Sequence, residues 1–170
     1  MDDWEEIRRQ YSPIVWATVY RILRNRDQAL DCSQEIFLEA FERSEENVVR
    51  DWPAFLRWLA VRRALDRLRR VRRAAVHLSR DCDVATCARG PEPWEEAEFR
   101  ELVERVRLET ARLPKRQAEA FWLCCVEEMS YHEAAKQMNT DANCIGVLIH
   151  RARSRLRELL ADLNPTHIDY

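Results

Sequence analysis

The sequence predicts an all-α fold of two small helical domains joined by a flexible linker, the second domain containing a helix-turn-helix. Three observations predict it. The 170 residues include only 2 glycines and 6 prolines, with Ala, Leu, Glu and Arg dominant, a mixture rich in strong helix formers. Apolar residues recur at helical spacing through most of the chain. One stretch, 74–93, loses that spacing and collects Gly90, Pro91 and Pro93, as a linker does. The predicted division is therefore 1–73, a linker over 74–93, and 94–170.

In the first domain the period runs over Trp4–Leu23, Asp27–Arg43 and Pro53–Arg73. Pro53 suits a first helical turn, where its missing N–H would be unpaired in any case. Ser44–Asp51 is polar and aperiodic, so it reads as a loop. In the second helix Ile36, Phe37, Ala40 and Phe41 form an inward face. Asp31, Gln34, Glu35, Leu38 and Glu42 form the other. Leu38 among those acids suits a protein partner with a basic surface. In the third helix Trp58, Val61, Leu65 and Leu68 make a core face. From Arg57 to Arg73 the chain holds eight arginines against one carboxylate, Asp66. With Trp52 and Phe55 at the start of that run, phosphate-neutralising arginines stand beside rings on which bases can stack, an arrangement that suits single-stranded DNA.

The second domain predicts helices over Trp94–Arg112, Pro114–Glu127, Ser130–Met138 and Asp141–Leu163. Ser130, with Glu133 three residues on, is a capping box. Asn139 can take the left-handed conformation that ends a helix, and Thr140 or Asp141 can cap the next. This is the helix-turn-helix pattern. In the last helix Ile145, Leu148, Ile149, Ala152, Leu156, Leu159, Leu160 and Leu163 share one face. Asn143, Val147, His150 and Ser154 lie opposite, with Arg151 and Arg157 beside them, which suits base-edge readers set among phosphate-binding arginines.

Charge and chemistry narrow the function classes. Charged residues make up 34% of the chain, yet the formal net charge is −2, so any nucleic-acid surface is local. Met1 is followed by acids and not by a basic and then apolar run, so no secretory leader is expected. The expected compartment is the cytoplasm, with the six cysteines reduced. No glycine-rich phosphate loop is present, and His132 and His150 have no catalytic partner pattern. The chain reads as a non-enzyme with no cofactor, no metal and no small-molecule substrate. His77, Cys82 and Cys87 are open to a zinc or redox role, although their spacing matches no standard zinc motif. Cys124 and Cys125 read as small core residues.

Across nearly its whole length the chain resembles the extracytoplasmic-function group of sigma-70-type factors. Asp27-Gln-Ala-Leu-Asp-Cys-Ser-Gln-Glu-Ile-Phe37 is similar to the family's polymerase-binding stretch. Trp52-Pro-Ala-Phe-Leu56 leading to Ala64-Leu-Asp-Arg-Leu-Arg-Arg70 resembles its promoter-melting segment. Leu113-Pro-Lys-Arg-Gln117, Ser130-Tyr-His-Glu-Ala-Ala135 and His150-Arg-Ala-Arg153 look like its region 4. The resemblance implies that Asp31, Gln34, Glu35 and Leu38 contact the β′ clamp helices of RNA polymerase, with the β flap as a second polymerase contact. It implies minus-ten DNA contacts by Asn47, Trp52, Phe55, Arg62, Arg63, Arg67, Arg69 and Arg70, the loop around Asn47 receiving an unstacked base. It implies minus-35 contacts by Thr140, Asn143, Cys144, Val147, His150, Arg151 and Arg153. It also implies an anti-sigma factor as a partner. The family commonly has Asn at Arg62 and Trp at Phe55, basic residues at Gly146 and Leu148, and Thr at Cys144, so an unusual promoter is expected. The alternatives are a stand-alone helix-turn-helix regulator and a degenerate polymerase-binding interaction protein.

Overall fold

The computed structural model describes residues 4–46, 49–78 and 94–161. Helix α1, Trp4–Leu23, buries Ile7, Val15, Thr18, Val19, Ile22 and Leu23 at helical spacing. It stops at Arg24, whose φ of 54° is left-handed. The Asn25 side chain then accepts the Gln28 N–H at 2.9 Å, starting α2, Arg26–Glu46, by the usual side-chain cap of a helix's orphan donors. Helix α2 buries Ala29, Cys32, Ile36, Phe37 and Ala40. Asp51 caps α3, Trp52–Leu78, by accepting the Ala54 N–H at 3.0 Å.

The apolar faces of these helices close on one another, with Leu56, Leu59, Val61, Leu65 and Leu68 of α3 at the centre. The buried positions of α3 form a broader band than one core stripe requires, because α3 also packs against α5 and α6 of the second set. Two expected core residues stand further out. Phe41 is 37% exposed, since it lies at the open end of the α1–α2 pair with Trp4 against one side, ring centroids 5.2 Å apart. Trp58 is half-buried, since Arg43 and Arg62 lie over its ring at 5.5 and 5.3 Å. Helix α3 also runs to Leu78, past Arg73 and into the segment expected to be linker.

The second set begins with α4, Trp94–Thr110. Residues 111–113 turn, and Pro114, with φ −52° and ψ 141°, enters α5, Lys115–Phe121. The helix then widens into a π-turn, Trp122–Val126, whose last bond runs from the Glu127 N–H to the Trp122 carbonyl at 2.9 Å. A continuous α-helix to Glu127 was expected. The extra residue in the turn lets Trp122 and Leu123 both point inward and be buried, and the Trp122 indole N–H reaches the Thr110 hydroxyl at 3.0 Å. Helix α6, Tyr131–Gln137, opens with the capping box between Ser130 and Glu133. Asn139 ends that helix region in the left-handed conformation, φ 50°, and Asp141 caps α7, Ala142–Leu159, by accepting the Cys144 N–H at 2.9 Å. Helix α7 ends at Leu159, short of the expected Leu163. Among the described residues there is no strand, and no described helix is long and apolar enough to cross a membrane.

The two helical sets are joined directly as well as through the chain. Arg107 of α4, 8% exposed, donates to the Ile22 carbonyl at the end of α1 at 2.6 Å. The Glu127 carboxylate accepts hydrogen bonds from Thr18 and Arg21 of α1.

Candidate nucleic-acid interface

Helix α2 supplies one exposed ridge. Gln34 is exposed, and the Asp31 and Glu35 side chains and Leu38 are all more than 60% exposed. Beside the ridge runs a groove between α1 and α2, lined by Trp16, Leu30, Phe37, Leu38 and Phe41. The acids and Leu38 were legible in the sequence. Trp16 and Leu30 were missed, because a helical period tells which residues leave the core and not which neighbouring helix they then meet.

The arginines of α3 do not form one DNA-facing surface. Arg63 pairs with Glu39 of α2. Arg67 donates to the Gln28 carbonyl at 3.3 Å and lies 3.8 Å from Asp31 and 3.9 Å from Glu35. These two turn toward the α2 ridge. Arg62 lies over Trp58. Arg69 and Arg72 turn toward the second helical set, where Arg69 donates to the Ala111 and Leu113 carbonyls and Arg72 to that of Leu108. Arg70 and Arg73 face water. The aromatic residues keep the expected arrangement at the start of α3: Trp52 to Phe55 and Phe55 to Trp58 are ring pairs at 6.1 and 5.9 Å. Trp58 Nε1 is buried without a partner. Asn47 lies outside the described residues, as do Cys82 and Cys87 and the side chain of His77.

Helix α7 presents the second surface. Asn143, Val147, His150 and Arg151 are exposed along one side, Val147 at 49%. Ile145, Ile149, Ala152 and Leu156 are buried on the other. Cys144 and Thr140 are half-buried at the turn. Arg153 points back, donating to Cys125 Sγ at 3.4 Å. Gln117 of α5 joins His150, Arg151, Ser154 and Arg155 around a small polar cleft; neither Gln117 nor Arg155 was singled out from the sequence. Gly146 is open on its outer side, where an added Cβ would meet only Tyr131 Cε2 at 3.7 Å. Burial pushes the Cys32 and Cys124 thiols up to about 11, so both are neutral packing groups and not nucleophiles.

An exposed acidic ridge, a set of edge-on and tilted aromatic rings beside a basic helix, and a capped helix-turn-helix thus occur in one chain in that order. Residues 7–74 match the model of Sigma-70 region 2, and residues 104–156 match that of Sigma-70, region 4. The chain belongs to the sigma-70 family. Two relatives place it in the extracytoplasmic-function group of that family. The ECF RNA polymerase sigma factor SigE of Mycolicibacterium smegmatis is 28% identical over 95% of this chain, and the chain spans 63% of that protein's length. The ECF RNA polymerase sigma factor SigW of Bacillus subtilis is 25% identical over 95% of this chain and 91% of its own. The fold is also similar to that of the sigma factor RpoE from Bartonella quintana, solved with the anti-sigma factor NepR. That likeness has a TM-score of 0.58 at 22% identity and covers 95% of this chain and 98% of the other. In this sigma-70 protein α2 and α3 lie in region 2, and α5 to α7 lie in region 4.

Proposed function

We propose that this sigma-70 protein binds core RNA polymerase through the α2 ridge and directs it to promoters carrying two separate recognition elements. The observation that carries the reading is the pairing, in one chain, of that exposed acidic ridge with a helix-turn-helix whose outer face is free. Asp31, Gln34, Glu35 and Leu38 dock on the β′ clamp helices, and the second helical set engages the β flap. Asn143, Val147 and His150 read base edges of the upstream element in the major groove, with Arg151 on phosphate. Trp52, Phe55 and Arg62 receive the melted downstream strand, whose bases stack on rings while arginines neutralise its phosphates. Taking a base out of the stack costs a few kcal/mol, and the strand contacts offset that cost. An anti-sigma factor competing for the α1–α2 groove is part of the same reading. The protein acts by binding, and no chemical step is assigned to it.

Run-off transcription on fragmented genomic DNA, with and without the protein added to purified core polymerase, tests this. New 5′ ends sharing two upstream elements are the expected result. Binding to core without new starts would instead favour a polymerase-occupying protein. Duplex binding by the protein alone on a repeated site, with no effect on core, would favour a stand-alone regulator. Asp31→Lys with Glu35→Lys is expected to abolish core binding.

A further inference from the structure

Helices α5 and α7 enclose a polar cleft of about 400 Å³, lined by Gln117 of the first and His150, Arg151, Ser154 and Arg155 of the second. Gln117 is 9% exposed, and its carboxamide oxygen is buried without a hydrogen-bond partner. Proteins rarely leave such an acceptor unpaired, because its lost hydration is then not recovered. The torsion that orients a glutamine amide is broad, so both amide atoms can be set on the cleft without disturbing α5. The α7 residues add donors there: two guanidinium groups, a hydroxyl and a ring N–H. Arg151 and Arg155 are exposed, and among the described residues neither pairs with a carboxylate. Ser154 is half-buried. The cleft therefore has cationic donors at its rim and a donor beside an unpaired acceptor at its floor.

We propose that this cleft is a binding site for inorganic hydrogenphosphate. The guanidinium groups suit any tetrahedral oxyanion and do not choose among such ions. Gln117 does. Hydrogenphosphate keeps one P–OH at neutral pH, so it can donate to the Gln117 oxygen while another of its oxygens accepts from the amide N–H. Sulfate has the same charge and shape but no proton, and it leaves the Gln117 oxygen unpaired. A phosphate monoester loses its last proton at about pH 6, and a backbone diester of DNA has none to offer. A site with a buried hydrogen-bonding group disfavours the analogue that fails to pair with it. One consequence rests on the promoter-directing function above. Arg151 holds a backbone phosphate in that reading, so hydrogenphosphate in the cleft withdraws it from DNA and weakens the upstream contact.

Side-chain NMR on the full chain tests this, with phosphate or sulfate added at neutral pH and constant ionic strength. The Gln117 amide and the Arg151 and Arg155 N–H signals should shift saturably with phosphate. Sulfate should need about tenfold more ion for the same shift, the share of one hydrogen bond. Gln117→Met removes the amide, and its arginine signals should respond to the two ions alike. Arg155→Met, at an exposed position outside the promoter contacts, should weaken the response to both ions, and it keeps the test decisive if Gln117→Met does not fold. An equal response of the parent protein to both ions, an adventitious ion only, overturns the proposal, as does the absence of a saturable shift. Run-off transcription by the parent should fall more in phosphate than in sulfate, and by Gln117→Met equally in both. An equal fall for the parent overturns the competition with DNA. The NMR result involves neither polymerase nor promoter, so failure of the promoter-directing function would leave the site itself decided.

Discussion

The Arg107 guanidinium donates a 2.6 Å hydrogen bond to the Ile22 carbonyl, so a side chain of α4 caps the C-terminal end of α1. Glu104 holds the other edge of the same guanidinium, and that hydrogen bond keeps the Glu104 carboxyl below the usual carboxylate range. Arg107→Met should remove a charge-assisted bond and leave a buried carbonyl without its donor. The expected loss is about 2 kcal/mol, or a melting temperature roughly 6 °C lower, read by calorimetry. A melting temperature within a degree of the parent's would mean that the junction contributes nothing to folding.

Arg67 was expected on the DNA side of α3, but its geometry ties it to Gln28, Asp31 and Glu35 of α2. Arg67→Ala should therefore strengthen core binding several-fold by freeing the ridge acids from their internal counter-ion, while leaving the preference among downstream sequences unchanged. Core affinity by fluorescence anisotropy and start-site profiles by 5′-end sequencing separate the two effects. A changed sequence preference at unchanged core affinity would return Arg67 to the DNA side.

Gly146 sits mid-helix in α7 with ordinary contact distance to spare on its Cβ side. Gly146→Ala should stabilise the protein by about 1 kcal/mol, since a helix-interior glycine loses backbone freedom without gaining packing. Ser130→Ala should do the opposite by a similar amount, about 1 kcal/mol, because it removes the hydroxyl oxygen that accepts the Glu133 N–H. Urea titrations of both variants against the parent give the two signs directly.

Glu119 of α5 is 6% exposed. Burial pushes its carboxyl above the ordinary range; Lys115, Arg62 and Arg69 pull it back, and Asp66 adds to the rise. A carboxyl with a raised folded pKa binds its proton more tightly folded than unfolded. Stability is thus lost as pH climbs from the ordinary carboxylate value, about 4.3, through the raised one. Glu119→Gln should remove that loss, so its gain in melting temperature over the parent should be larger near neutral pH than at about pH 4. An equal gain at both would show that the charged form carries no cost in this site.

Much of this architecture was legible because its signals are local. A cap, a left-handed asparagine and a period of 3.6 residues define α6 and α7 within a few residues of chain, and the structure places Ser130, Asn139 and Asp141 in those roles. What was not legible depends on neighbours distant in sequence. The period around α3 separates Val61, Leu65 and Leu68 from the arginines. It does not say that Arg63 meets Glu39 while Arg69 meets Leu113. Nor does the π-turn have a residue signature: Trp122-Leu-Cys-Cys-Val126 reads as ordinary helix until its hydrogen bonds are drawn.

That turn carries a consequence for how the protein can vary. It adds one residue to the helix between the Thr110 contact and the start of α6, and each residue of helix turns the chain by about 100°. Exchanging one apolar side chain for another at 122–126 would disturb packing alone. Removing a single residue there would instead close the wide turn into ordinary α-helix, and Trp122 and Leu123 could no longer both face the core. The one residue beyond an α-turn is therefore what lets two large neighbouring side chains share the inside of the same helix, and a deletion would be felt as lost burial of one of them.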